Sequence, residues 1–226
     1  GIRTNIMGVE SDTYSYGHRF HHNEKIPLAN VSDYQSLLES PGCVIADFET
    51  RKELIRKLVE EEGKKLGAIT VVDEALLEEV TGLVEYPVAL TGKFEEHYLQ
   101  VPSEALILAM KSHQKCFYLV DKDSKLLPLF VTVSNIRSKD PVQVIEGNER
   151  VIRPRLADAQ FFFETDKQQT LENRLEQLKK VVFQTKLGTV YERSVRISKL
   201  SKAIASTLEK MKSFASAPPY FLNAIW

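Results

Sequence analysis

Cys116-Phe-Tyr-Leu-Val-Asp-Lys-Asp-Ser-Lys-Leu-Leu-Pro-Leu-Phe-Val-Thr-Val-Ser-Asn135 holds two apolar runs, Cys116 to Val120 and Leu127 to Val133, around the polar run Asp121 to Lys125. β-Branched and aromatic residues on either side of a short polar link read as a β-hairpin. Upstream, Pro102 stands where a helix takes proline in its first turn, and Ala105, Leu106, Leu108 and Ala109 follow, so Val101 to about Ser112 reads as a buried helix. Tyr86 to Thr91 is a candidate strand. Further back, Val44 to Asp47 reads as a brief strand. It leads into a helix opened by a Thr50/Glu53 capping box, striped with Leu54, Ile55, Leu58 and Val59, and stopped at Gly67 after Leu66. Ala68 to Val72 suits a strand, and Leu76, Leu77 and Val80 mark one face of a second helix. The opening 30 residues read as short strands and loops.

Downstream of Asn135 the pattern changes. Asp140 and Pro141 form an N-cap and first-turn pair, and from there to about Met211 the apolar spacing is helical, through Leu171, Leu175, Leu178, Ile197, Leu200, Ile204 and Leu208. The expected fold is therefore α+β: a mixed or antiparallel sheet with flanking helices over residues 1–138, then a helical region over 139–212. A second boundary is marked near Lys186 to Val190. Residues 213–226 carry no charge and no stripe and are expected to be an irregular tail or an expression remnant.

The 226 residues, 43% hydrophobic and 27% charged, have globular proportions and exclude a mini-protein, a low-complexity chain and wholesale disorder. Cys43 and Cys116 match neither a disulfide framework nor a zinc-ligand spacing and read as reduced thiols of a cytoplasmic protein. No run approaches the roughly 18 apolar residues of a membrane span, so no membrane partner is expected. The start, Gly1-Ile-Arg-Thr-Asn, suggests an excised piece of a longer polypeptide. The net charge of -1 conceals a division: residues 1–110 hold 10 Lys plus Arg against 19 Asp plus Glu, and residues 111–226 hold 20 against 12. A basic half beside an acidic half is compatible with an anionic partner for one side, or with an unevenly charged solvated surface.

No nucleophile elbow, phosphate loop or paired-glycine fingerprint is present in the sequence. His18, His21 and His22 crowd together without the ligand spacing of a metal site, so no metal is expected there. His18 and Arg19 are either a turn with structural histidines or the lining of a candidate pocket. Arg150, Arg153 and Arg155 lie within six residues, ahead of Phe161, Phe162 and Phe163. Guanidinium forks suit phosphate or carboxylate groups, and an internal network with Glu149, Asp158 and Glu164 is the alternative.

Several ordered segments together resemble the β subunit of bacterial heterotetrameric glycyl-tRNA synthetases, from Gly1 to about Ala205. They are Tyr16-Gly-His-Arg-Phe, Val44-Ile-Ala-Asp-Phe-Glu with Arg51-Lys-Glu-Leu-Ile, Leu83-Val-Glu-Tyr-Pro-Val, Leu99-Gln-Val-Pro-Ser-Glu-Ala-Leu, His113-Gln-Lys-Cys-Phe, Leu126-Leu-Pro-Leu-Phe-Val-Thr-Val-Ser-Asn, Gly147-Asn-Glu-Arg-Val and Val181-Val-Phe-Gln-Thr-Lys-Leu-Gly-Thr-Val-Tyr. The resemblance implies an editing-like domain of the phenylalanyl-tRNA synthetase β-chain type, followed by the entry to a helical HD-type domain. It also implies that glycine, ATP and Mg are handled by the α subunit, so that this chain holds no cofactor or catalytic residue. Its implied partners are the α subunit and tRNA(Gly).

Three roles follow from the resemblance. In the first, the chain contacts tRNA backbone through Lys111, Lys115, Arg137, Lys139, Arg150, Arg153 and Arg155, without base-specific readout. In the second, an editing hydrolase acts on mischarged tRNA around His18 and Arg19. That role is opposed by the lack of a nameable nucleophile and base, and by glycine's having no smaller analogue to remove. In the third, the chain is a scaffold joining α to distal tRNA-binding domains.

Overall fold

The computed structural model describes residues 4–207, so the expected tail at 213–226 and the helical positions Leu208 and Met211 lie outside the described residues. The described chain forms two compact units, the first running through Phe161 and the second starting at Phe162.

The first unit opens with two small antiparallel hairpins, β1 (Asn5–Ile6) with β2 (Val9–Glu10) and β3 (Tyr14–Tyr16) with β4 (Lys25–Pro27), followed by the short helix α1 (Tyr34–Glu39). Its centre is an antiparallel sheet of β5 (Ile69–Thr70), β6 (Val88–Lys93), β7 (Phe117–Val120) and β8 (Leu126–Ser134), in the spatial order β5-β7-β8-β6. The expected hairpin is β7–β8, closed by Asp121, whose carboxylate accepts the backbone N–H groups of Asp123 and Lys125 at 2.9 Å each. The mixed α+β expectation holds, with a sheet that is antiparallel throughout.

Two helices, α2 (Phe48–Lys65) and α3 (Glu74–Leu83), supply the apolar layer for that sheet. Ile55 and Val59 of α2 and Leu76, Leu77 and Val80 of α3 join Phe117, Leu119 and Val131 in one buried cluster. Each fully buried aliphatic or aromatic side chain here contributes about 1.5–3 kcal/mol of transfer free energy. On the sheet's other face Phe130 is fully buried, and Gly92 of β6 leaves the space its ring occupies: a Cβ there would stand 2.3 Å from the ring.

Several local expectations are corrected. Helix α2 is capped by Asp47 rather than Thr50, because the Asp47 carboxylate accepts the Thr50 N–H at 2.7 Å and the first turn forms three residues earlier. Val44 to Asp47 forms no strand. The carbonyls of Ile45 and Ala46 are taken by the Arg51 guanidinium, which also donates to Thr81 O, so no ladder is available to them. The helix expected over 101–112 is α4 (Ser103–Leu108) and then a wider π turn over Ala109–His113.

The long helix α5 (Pro141–Lys167) begins where Asp140 and Pro141 indicate, and Asp140 accepts the Gln143 N–H at 3.4 Å. It contains Pro154, which cannot donate to the preceding turn. The division between the units falls inside α5.

The second unit holds α6 (Leu171–Leu175), the hairpin β9 (Val182–Gln184) with β10 (Gly188–Thr189), and α7 (Val190–Thr207). The hairpin interrupts the expected helical run, because Leu187 N–H closes a turn on Gln184 O at 2.9 Å where β-branched Val181 and Val182 favour extended backbone.

Candidate nucleic-acid interface

The residues Tyr16 to His22 leave β3 and fold against Gly42. Gly17 makes this approach possible: a Cβ would lie 2.6 Å from Gly42 O and 2.8 Å from His22 O. The His18 N–H donates to Gly42 O at 2.6 Å, and His22 N–H closes on His18 O at 2.8 Å. The His18 side chain is fully buried. Its Nε2 lies 2.7 Å from Asn135 O and, facing a carbonyl, is the protonated nitrogen that donates to it. Its Nδ1 accepts the N–H groups of Phe20 at 3.2 Å and His21 at 3.3 Å. Both ring nitrogens are thus engaged, which makes the ring a fastener between residues 117 positions apart.

Asn135 completes the fastening. Its side-chain carbonyl accepts the N–H groups of Glu85 at 2.8 Å and Tyr86 at 3.0 Å. The Arg137 N–H donates to His21 Nε2 at 3.0 Å, which requires that nitrogen to be unprotonated. Burial, with the nearby His18 and Arg137, holds the His21 pKa below the usual histidine value. Around this junction lie the ring of Tyr86, 5.1 Å from His21, the Arg137 guanidinium 5.8 Å from the Tyr86 centroid, and the Arg19 guanidinium 5.5 Å from the centroid of Phe20. The neighbours His18 and Arg19 and the distant Arg137, whose N–H reaches His21 across 116 positions, belong to this one junction, with Lys139 two residues beyond.

The other expected cations are placed differently. Lys111 pairs with Asp73 at 2.6 Å and Lys115 with Glu79 at 2.7 Å, both acids at or within α3. The hydrogen bond from Lys111, together with the Leu76 N–H, holds the Asp73 carboxyl below its ordinary range. Arg153 pairs with Glu95 at 2.6 Å and with Glu149 at 3.3 Å. Glu149 is buried, and its second oxygen accepts the Lys93 N–H at 3.0 Å, so this carboxylate anchors α5 to the end of β6. Among the described residues, Arg19, Arg137, Lys139, Arg150 and Arg155 are exposed and have no carboxylate partner. A cavity of about 520 Å³ opens between Leu99, Val101, Leu106, Lys125 and Leu126, and none of the candidate residues lines it. No group of three or more His, Cys, Asp or Glu able to hold a metal occurs among the described residues. No helix among them is long and apolar enough to cross a membrane.

The family model described as glycyl-tRNA synthetase beta subunit matches residues 1–218. The chain belongs to this family. The glycine–tRNA ligase beta subunit of Hahella chejuensis is 51% identical over 214 residues, covering 95% of this chain and 31% of the relative. That of Pseudoalteromonas atlantica is 53% identical over 215 residues, with coverage of 95% and 31%. That of Psychromonas ingrahamii is 53% identical over 204 residues, with coverage of 90% and 30%. The chain spans about a third of the length of these relatives. Within the family segments, sequence reasoning passed over Phe20, Tyr86 and Asn135. The signal available for them was their place in the matched stretches Tyr16 to Phe20, Leu83 to Val88 and Leu126 to Asn135.

Proposed function

We propose that this chain is part of a glycine–tRNA ligase β subunit, serving ATP-dependent formation of glycyl-tRNA in the cytoplasm by contacting tRNA(Gly) and assembling with an α subunit that uses ATP and Mg. The observation that carries this reading is the family match over nearly the whole chain at about half identity. Residues 1–138 are taken as an editing-like domain of the phenylalanyl-tRNA synthetase β-chain type, and 139–212 as a helical region leading into an HD-type domain.

Contact with tRNA is assigned to Lys111, Lys115, Arg137, Lys139, Arg150, Arg153 and Arg155, in two ranks. Arg137, Lys139, Arg150 and Arg155 have no acidic partner to give up among the described residues and offer their full charge to phosphate. Lys111, Lys115 and Arg153 must first release a carboxylate. Phosphate contacts make binding salt-dependent, with a slope of roughly 0.7–0.9 per phosphate neutralised. A salt titration of tRNA(Gly) transcript binding tests the assignment: Arg150→Glu with Arg155→Glu lowers the slope by about 1.5, and Lys111→Glu, where the lysine must first release Asp73, lowers it by less than about 0.7. An unchanged slope in the folded double variant refutes the role of α5. Failure of the chain to co-purify with the α subunit refutes the assembly role.

A further inference from the structure

We infer that Phe20, with the Arg19 guanidinium against it, is a stacking platform for an unpaired RNA base, and that Arg137 and Lys139 receive the adjoining phosphates. The inference rests on the reading that this chain engages tRNA and names the part of tRNA that this surface takes: a single-stranded segment.

Phe20 is 70% exposed, and a single exposed aromatic is ordinary on a protein surface. What sets this one apart is how firmly it is held. Its own backbone N–H is bonded to the buried His18 imidazole, the preceding turn is tied to Gly42, and the same imidazole is bonded to Asn135. Such a loop presents an apolar ring to water at a fixed position, so little conformational freedom is lost when a flat partner covers it.

The chemistry around the ring selects that partner. Arg19 lies 5.5 Å from the Phe20 centroid, and across the His18 junction Arg137 lies 5.8 Å from the Tyr86 centroid. Aromatic rings flanked by guanidinium groups suit bases, which stack on both, and the positive charge suits the phosphates between them. Arg19, Arg137 and Lys139 have no carboxylate partner among the described residues, so an apolar protein surface covering Phe20 would leave three cations uncompensated, whereas a polyanion pairs with them. A duplex offers no free base face, so the ring discriminates between single-stranded and paired RNA.

The test compares a fluorescent single-stranded RNA octamer with the same octamer annealed to its complement, using the 226-residue chain. Phe20→Leu keeps an apolar side chain and removes the π face. It lowers octamer affinity by about 5- to 150-fold, the range a lost base stack produces, spares the duplex, and leaves the salt slope unchanged. Phe20→Trp restores or strengthens octamer binding. Arg137→Gln weakens both probes and lowers the slope by about 0.7. If Phe20→Leu changes nothing, or weakens both probes equally, the stacking platform is overturned while tRNA contact elsewhere on the chain stands. If the wild-type chain binds neither the octamer nor a tRNA transcript, both readings fall. If Phe20→Leu impairs capture of the α subunit and spares the octamer, the surface belongs to a protein partner and the inference is overturned.

Discussion

Replacing His18 by Leu fills most of the ring's volume with apolar atoms, so the cavity contribution is small and the cost reports the lost hydrogen bonds. Three are lost: the 2.7 Å bond to Asn135 O and the longer bonds from Phe20 N–H at 3.2 Å and His21 N–H at 3.3 Å. A net hydrogen bond is worth about 0.5–1.5 kcal/mol, and a buried group left without a partner costs about 1–3 kcal/mol. Phe20 is exposed, and its N–H regains water on small movements. Asn135 and His21 are only partly accessible and regain less. The expected destabilisation is about 2–4 kcal/mol, which for a chain of this size lowers the melting temperature by roughly 5–15 °C. Urea unfolding followed by circular dichroism measures the total, and amide hydrogen exchange at Phe20, His21 and Arg137 reads the junction itself, where protection falls first. His22→Leu is the control, because no side-chain bond of His22 joins this network, and its effect stays within about 0.5 kcal/mol. A His18→Leu loss below about 0.5 kcal/mol, with exchange at the three amides unchanged, refutes the fastening role.

Gly92→Ala pushes a Cβ to 2.3 Å from the fully buried Phe130 ring and costs about 1–3 kcal/mol by overpacking, read as a lower urea midpoint with an unchanged m-value. Glu149→Leu strands the Lys93 N–H at the end of β6 and one side of Arg153, for a loss of about 1–3 kcal/mol. Glu149→Gln keeps the acceptor and loses less, and equal losses in the two variants would contradict the anchoring role. His21 has a folded pKa below its unfolded value of about 6.5, so on acidification the unfolded chain takes up the proton first. Its stabilisation is complete above the unfolded pKa and is lost as pH falls through about 6.5 towards the folded value. Histidine titration by NMR, with stability measured between about pH 7.5 and 5, checks the direction, and a His21 pKa above the usual value would reverse it.

The β7–β8 hairpin and the start of α5 were legible because their signals are local: alternating β formers around Asp121 to Lys125, and Asp140 before Pro141. The start of α2 was misplaced by three residues because Asp47 and Thr50 are both good N-caps, and which one acts is decided by the carboxylate reaching the Thr50 amide. The β9–β10 hairpin was hidden because Leu178, Val181 and Val182 also fit helical spacing, and only the turn from Gln184 to Leu187 resolves the ambiguity. Of the candidate site, the charges were visible and their partners were not. His18 with Asn135, or Lys111 with Asp73, are pairings set by the sheet and helix packing across many intervening residues, and no periodicity encodes them.

Those pairings also explain what the uneven charge of the chain does. Lys111 to Asp73, Lys115 to Glu79 and Arg153 to Glu95 each join a cation of the basic half to an acid of the acidic half. Part of the segregation along the sequence is therefore cancelled by folding. Such partly exposed pairs contribute only about 0–1 kcal/mol each, so their main consequence is electrostatic: they withdraw three cations from the field that an RNA would meet. Among the described residues, the exposed cations outside carboxylate pairs include Arg19, Arg137 and Lys139 at the His18 junction, Arg150 and Arg155 on α5, and Lys180, Lys186, Arg193, Lys199 and Lys202 in the second unit. At the junction this charge stands beside the exposed Phe20 ring. Discrimination between RNA forms is therefore expected at the junction, with α5 adding affinity that is indifferent to sequence and pairing.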